Sequence, residues 1–287
     1  MRTRFAPSPT GPLHLGHAYA AILAHDMAHA SGGQFLLRIE DIDQSRARPA
    51  WETQIYDDLT WLGLTWPTPV LRQSDRLPLY RAALKHLWAR GLLYPCTCNR
   101  RDIAAAATAP QEGTPLHGPD GIVYPGTCRH IPDTTQPLPD TALRLNAARA
   151  LNVLRHRPLA KPLWFTETGS TAPQTHTIAP AAFLDTVGDI VLARRDMGTS
   201  YHLSVTLDDA AQHITHVTRG TDLFQATQIH VLLQHLLHLP TPTYHHHNLI
   251  RDNHGKRLAK RDDARAIATY RAAGDTPHDI RRRVGLA

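Results

Sequence analysis

His14 and His17 stand three residues apart around Gly16, within the stretch RFAPSPTGPLHLGHAYAAIL that begins at Arg4. With a helix starting near Leu15, both imidazoles fall on one face at its N-terminus, where unpaired backbone N–H groups and the positive end of the helix dipole favour a phosphate. Imidazoles add donors that follow charge as it develops on a reacting group, and Gly16 leaves bare backbone against which a flat base can lie. A second cluster is built of thiols: Cys96 and Cys98, then Cys128 inside YPGTCRH, which also holds Tyr124 and His130. Tetrahedral zinc takes four ligands, preferably thiolate or imidazole, and Cys96, Cys98, Cys128 and His130 make an acceptable set. The tract His245, His246 and His247 is of another kind. Neighbours in a strand point to opposite faces, so the three cannot share one ion, and packed or solvated histidines are expected there.

These residues need elements to hold them. A short strand over residues 3–6, a Pro/Gly turn, a helix over about 15–30 and the apolar strand QFLLRIED, which ends in Glu40 and Asp41, read as a βαβ unit of a parallel sheet. Helices are expected at about 49–62 and 75–90, the second with Leu77, Tyr80, Leu84, Leu87 and Trp88 at the spacing of a core face. From residue 93 to about 160 the chain turns rich in Pro, Gly and Thr and takes in all three cysteines, as an insertion would. The α/β rhythm is expected to resume with a strand at 189–194, a helix at 199–210, a strand at 213–220 and a helix from about 223, and two short helices follow a basic loop. The expected division is 1–92 and 161–240 for two halves of an α/β domain, 93–160 for the insertion, and 241–287 for the basic loop and a short helical segment.

The 287 residues carry 31 Lys plus Arg against 25 Asp plus Glu, a formal charge of +6 that suits a polyanionic partner without requiring one. Three clustered cysteines cannot form a multi-bridge secreted framework. No apolar run approaches the roughly 18 residues of a membrane span, and no signal-peptide pattern opens the chain. A soluble, cytoplasmic protein is expected.

Four stretches taken together resemble the glutamyl group of the class I aminoacyl-tRNA synthetases: RFAPSPTGPLHLGH at the start, RIEDID at residues 38–43, RGTDL at 219–223 and GKRLAKR at 255–261. The resemblance spans about residues 2–265 and implies a Rossmann-like catalytic domain, a parallel sheet with helices on both faces, carrying a zinc-binding insertion. It implies ATP with Mg²⁺, with His14, Gly16, His17 and Lys260 on the nucleotide and His14, His17 and Lys260 catalytic. It implies a glutamate site of Arg4, Ala6, Ser8, Glu40, Tyr201 and Arg219, in which bidentate arginines suit carboxylates and an anion suits the ammonium. In the family the fourth zinc ligand beside Cys96, Cys98 and Cys128 is a tyrosine, which falls on Tyr124 and competes with His130. The lysine loop departs from the family's Lys-Met/Leu-Ser-Lys pattern, reading Arg257, Leu258, Ala259, Lys260 and Arg261, so the usual hydroxyl is absent and the first lysine is an arginine.

Glutamyl-tRNA synthetases carry a long helical anticodon-binding region after the lysine loop, whereas this sequence runs only to residue 287. In that respect it resembles the short paralogues of the group. The resemblance to those implies tRNA-independent activation of L-glutamate with ATP, then transfer to the queuosine base in the anticodon of tRNA(Asp) by a monomeric enzyme. The competing expectations are a truncated glutamyl-tRNA synthetase charging tRNA(Glu) with a partner, a small-molecule nucleotidyltransferase using the same His-x-Gly-His turn, and a non-catalytic RNA-binding paralogue.

Overall fold

The strand Arg2–Phe5 pairs in parallel with Gln34–Ile39, which pairs in parallel with the short strand Leu71–Arg72. The computed structural model describes residues 1–107, 117–130, 132–157, 162–250 and 265–287. The helix Leu15–Ala30 makes the first crossover and buries Ala18, Ala21, Ile22, Ala24 and Ala28, small residues that bring it close to the sheet. A second sheet runs His216–Gly220, Thr243–His247 and Trp164–Glu167 in parallel, with Gln174–Thr177 antiparallel at its edge. The two sheets meet where Arg2–Phe5 lies beside His216–Gly220. There Thr215 N donates to Arg2 O at 3.0 Å and Arg2 N to Thr215 Oγ1 at 2.8 Å. The strand order reverses at this seam, the place where open parallel sheets leave a crevice at the carboxyl ends of their strands.

A third, antiparallel sheet orders Val191–Ala193, Leu143–Leu145 and Leu93–Pro95. The segment 189–194, expected as a strand, supplies Val191–Ala193, and these residues pair with the insertion. An apolar strand carries no mark of its partner's direction, so the sequence did not say which sheet it joins. The helix Leu77–Ala89 buries Tyr80, Leu84, Leu87 and Trp88 as its spacing implies, but Leu77, at the helix start, is exposed. The strand expected from residue 213 begins at His216, because His213 takes a φ of 52° that ends the preceding turn.

Two apolar cores follow from this layout. One lies under the N-terminal sheet and takes in Ile267, Ile280 and Val284 from the last two helices, Ile267–Ala272 and Pro277–Val284. The other joins the insertion to the second half through Leu145, Leu192, Phe183, Leu203 and Leu232. Among the described residues no helix is long and apolar enough to cross a membrane.

Candidate active site

Arg4 and Arg219 stand near the carboxyl ends of the two strands that meet at the seam, and Arg4 Nη1 donates across it to Thr218 O at 3.2 Å. Two adjoining clefts of about 390 and 530 Å³ open there, both bordered by Phe5, Ala6, His17, Glu40 and Tyr201. Arg4, His14, Gly16 and Arg219 border the first and Ser8 the second. Every residue expected on the amino acid, and every residue expected on ATP except Lys260, thus borders one continuous crevice. Lys260, with Arg257, Ala259 and Arg261, lies outside the described residues. The flanks of that segment are placed at the same site: Ile250 lines the first cleft, and Ala266 bridges to His14.

The histidine pair is set by the helix start. His14 is the N-cap of Leu15–Ala30; its Nδ1 accepts from Gly16 N at 3.1 Å, while His17 Nδ1 accepts from His14 N at 3.2 Å. A ring nitrogen that accepts from a backbone N–H carries no proton, so each imidazole holds its hydrogen on Nε2. The rings stack at 3.8 Å between centroids. Backbone donors expected to meet a phosphate directly are therefore engaged by the two Nδ1 atoms. A Cβ on Gly16 would come within 3.1 Å of the His14 ring, so the small residue lets the cap close.

Behind the clefts lies an ion network that sequence reading missed. Asp209 receives Arg4 Nε at 2.9 Å, Arg4 Nη2 at 3.3 Å and Arg38 Nη1 at 2.7 Å, and the fully buried Arg38 also donates to Glu40 Oε1 at 3.0 Å. Burial pushes the Asp209 carboxyl up, but the Arg4 and Arg38 guanidiniums outweigh it and hold the group below its usual range. For Glu40 burial wins over the same two arginines and the carboxyl is raised. The signal for Asp209 was in the sequence as two adjacent acids, Asp208 and Asp209, in the helix Tyr201–Ala211, whose Leu203, Val205 and Leu207 mark it for burial. Buried acids require cation partners. Asp208 finds its own in Arg76 Nε at 2.7 Å, with Tyr80 Oη and Gln73 Nε2.

Arg219 is held differently. Its Nε donates to His246 Nε2 at 3.0 Å, its Nη1 to His230 Nδ1 at 3.0 Å and its Nη2 to Thr227 Oγ1 at 2.6 Å, with the guanidinium over the Tyr244 ring at 5.1 Å. Among the described residues no carboxylate lies within ion-pair distance of it. Burial first, and then the Arg219 charge, push His230 well below its ordinary value and His246 down to about 4, the latter against the Glu167 carboxylate that its Nδ1 contacts. The histidine tract is therefore packed, one of the two states expected of it: His246 turns inward to Arg219, and His247 borders the first cleft.

The thiols of Cys96, Cys98 and Cys128 lie within 4.8 Å of one another. The Tyr124 hydroxyl lies 3.5 Å from Cys96 Sγ and 3.4 Å from Cys98 Sγ, and Cys128 N donates to it at 2.8 Å. His130 turns its Nδ1 to the Cys128 carbonyl oxygen at 2.6 Å instead. Arg144 donates to Cys96 Sγ at 3.3 Å and stacks over the Tyr124 ring at 3.8 Å, a cation suited to thiolate charge. The Cys128 thiol is pulled down to about 6, chiefly by its hydrogen bond with Tyr124. Three soft donors and a phenol in one cluster fit a tetrahedral metal.

The sequence profile of the family described as "tRNA synthetases class I (E and Q), catalytic domain" matches residues 1–132 and 175–287. A "Glutamyl-Q tRNA(Asp) synthetase" of Rhodobacter capsulatus is 67% identical over 288 residues, covering 100% of both chains. A protein of the same name from Nocardia farcinica is 42% identical over 278 residues, covering 96% of this chain and 81% of its own. Among solved structures, a glutamate tRNA ligase of Elizabethkingia meningosepticum in complex with its amino acid superposes with a TM-score of 0.67 at 26% identity. That match covers 91% of this chain and 52% of the ligase, so the chain spans about half the length of that enzyme.

Proposed function

Because the chain belongs to the class I tRNA synthetase family for glutamate and glutamine, we propose that it activates L-glutamate with ATP, without tRNA, and then transfers the glutamyl group to the queuosine base in the anticodon of tRNA(Asp). The observation that carries this reading is the single crevice bordered by Arg4, Glu40, Tyr201 and Arg219 together with His14, Gly16 and His17. Three of the five N–H groups of Arg219 are engaged, which leaves two for a substrate carboxylate. Arg4, clamped by Asp209, offers its remaining donors beside them, and Glu40 receives the ammonium. Ala6 and Ser8 line the approach.

ATP enters with Mg²⁺, its phosphates against the Nε2–H donors of His14 and His17 at the positive end of the helix. An oxygen of the glutamate α-carboxylate attacks the α-phosphorus in line and pyrophosphate leaves, with Lys260 supplying positive charge to the triphosphate. A hydroxyl of the modified base then attacks the activated carbonyl; AMP leaves, and its phosphate takes the hydroxyl proton. Cys96, Cys98, Cys128 and Tyr124 would hold a zinc ion that braces the insertion and takes no part in the chemistry. The enzyme works as a cytoplasmic monomer.

Glutamate-dependent ATP–pyrophosphate exchange without tRNA, followed by transfer of labelled glutamate to tRNA(Asp) with and without queuosine, tests the proposal. Exchange without tRNA and queuosine-dependent labelling are expected. Absence of exchange, or labelling confined to tRNA(Glu), overturns it.

A further inference from the structure

We propose that His230 and His202 form a directional relay that positions Arg219 and ties it to Asp120 in the hairpin of the insertion. The inference takes its substrate from the glutamate reading above. Its geometry stands apart from that reading.

Arg219 Nη1 meets His230 Nδ1 at 3.0 Å, His230 Nε2 meets His202 Nδ1 at 3.0 Å, and His202 Nε2 meets Asp120 Oδ1 at 3.2 Å. Arginine can only donate. His230 Nδ1 must therefore accept, its proton must sit on Nε2, His202 Nδ1 must accept that proton's hydrogen bond, and His202 must donate from Nε2 to the carboxylate. One fixed donor at the cleft thus sets both tautomers, and one acceptor at the far end, Asp120, completes the line. Both histidines are buried, at 6% and 3% exposure for His202 and His230, so water does not replace a lost partner easily. Tyr201, which borders both clefts, packs its ring edge-on against both of them, at 5.4 and 5.8 Å between centroids.

Asp120 occupies the turn between the short strands His117–Gly118 and Gly121–Ile122. That hairpin is seated on the end of the helix Pro180–Thr186: a Cβ on Gly118 would lie 2.1 Å from the Thr186 carbonyl oxygen. The insertion therefore reaches the arginine through three hydrogen bonds, and the negative charge at the end of the line stands two imidazoles away from the guanidinium. Arg219 is oriented without being neutralised.

Asp120 is itself exposed, so its substitution leaves the cores untouched. Asp120→Ala should raise the glutamate KM in the exchange reaction about fivefold, with the ATP KM within about twofold, as loss of one hydrogen bond in a buried line implies. Asp120→Asn, which keeps an accepting Oδ1, should restore the glutamate KM to within about twofold. Nitrogen-15 NMR of histidine-labelled protein should show His202 and His230 as Nε2–H tautomers, with His202 losing that single state in Asp120→Ala. An Nδ1–H tautomer at either histidine, an unchanged glutamate KM in Asp120→Ala, or both KM values rising together with a lower melting temperature overturns the relay. A wild-type protein without glutamate-dependent exchange refutes the proposed function instead, and the tautomers still decide the relay.

Discussion

Asp209→Asn exchanges a buried carboxylate for a carboxamide between two guanidiniums. Oδ1, which accepts from Arg4 Nε at 2.9 Å and from Arg38 Nη1 at 2.7 Å, stays an acceptor but loses its charge, and the oxygen that accepts from Arg4 Nη2 at 3.3 Å becomes an NH₂ facing a guanidinium; Arg4 keeps the Thr218 carbonyl, and Arg38 keeps Glu40 and Gln212. Removing one partner of a buried pair costs about 3–5 kcal/mol, because the other charge is left in a poor solvent. At about 2 °C per kcal/mol for a chain of this size, the melting temperature at neutral pH should fall by about 6–10 °C. The sign of the pH dependence follows from the carboxyl being held below its ordinary value in the folded state. Its contribution is complete above the unfolded value of about 4 and is lost as pH falls through the lower folded value. The gap between wild type and variant should thus be widest near neutrality and close in acid, since the other carboxyls titrate alike in both proteins. Thermal melts from pH 7 down to the acid limit measure it, and in parallel the glutamate KM should rise about tenfold as Arg4 loses its clamp. A loss under about 2 °C at pH 7, or one that persists undiminished in acid, would refute the assignment of Asp209 as the shared counter-ion.

His14→Ala should lower ATP–pyrophosphate exchange about a hundredfold or more through the missing donor, while the lost cap costs only about 1 kcal/mol; normal exchange in a folded variant refutes the assignment. Wild-type protein should carry one zinc ion per chain by elemental analysis and Cys128→Ser markedly less, with adenylation kept within several-fold; a wild type free of zinc refutes the ligand set. Glutamine should support exchange with a kcat/KM at least about a thousandfold below that of glutamate, because a site built around a polar partner rejects the analogue lacking it. Comparable turnover of the two amino acids would remove Arg219 from the role of carboxylate reader.

The crevice was legible in the sequence because its residues sit in short contiguous stretches whose chemistry is local: a helix start with His14 and His17, a strand end with Glu40, a strand end with Arg219. What could not be read there depends on partners far apart in the chain. Arg4 and Asp209 are separated by 205 residues and Arg38 and Asp209 by 171, and nothing local to an acid in a helix names the arginine it will meet. The sheet that Val191–Ala193 joins was illegible for the same reason, since its apolar run fits either sheet. The fourth group of the thiol cluster shows the limit of donor chemistry alone: His130 is the better ligand by type, yet the turn after Gly126 aims it at a backbone carbonyl and leaves Tyr124 among the sulfurs.

The charges around the crevice explain why Arg219 is held by lone pairs. Arg4 and Arg38 share the carboxyls of Asp209 and Glu40, whereas among the described residues no carboxylate pairs with Arg219, whose guanidinium is held by His246, His230 and Thr227. On the proposed reading, glutamate brings two carboxylates and one ammonium, and one of the carboxylates supplies the negative charge that Arg219 lacks. Glutamine would not supply it, at the cost of an uncompensated buried cation. Had an aspartate stood where His230 or His246 stands, Arg219 would be neutralised before substrate arrived and the distinction lost. Had either imidazole been protonated, it would have repelled the guanidinium it must hold. Burial keeps both histidines neutral. Arg219 fixes their tautomers by donating to them, and their neutrality keeps its positive charge available for the proposed diacid.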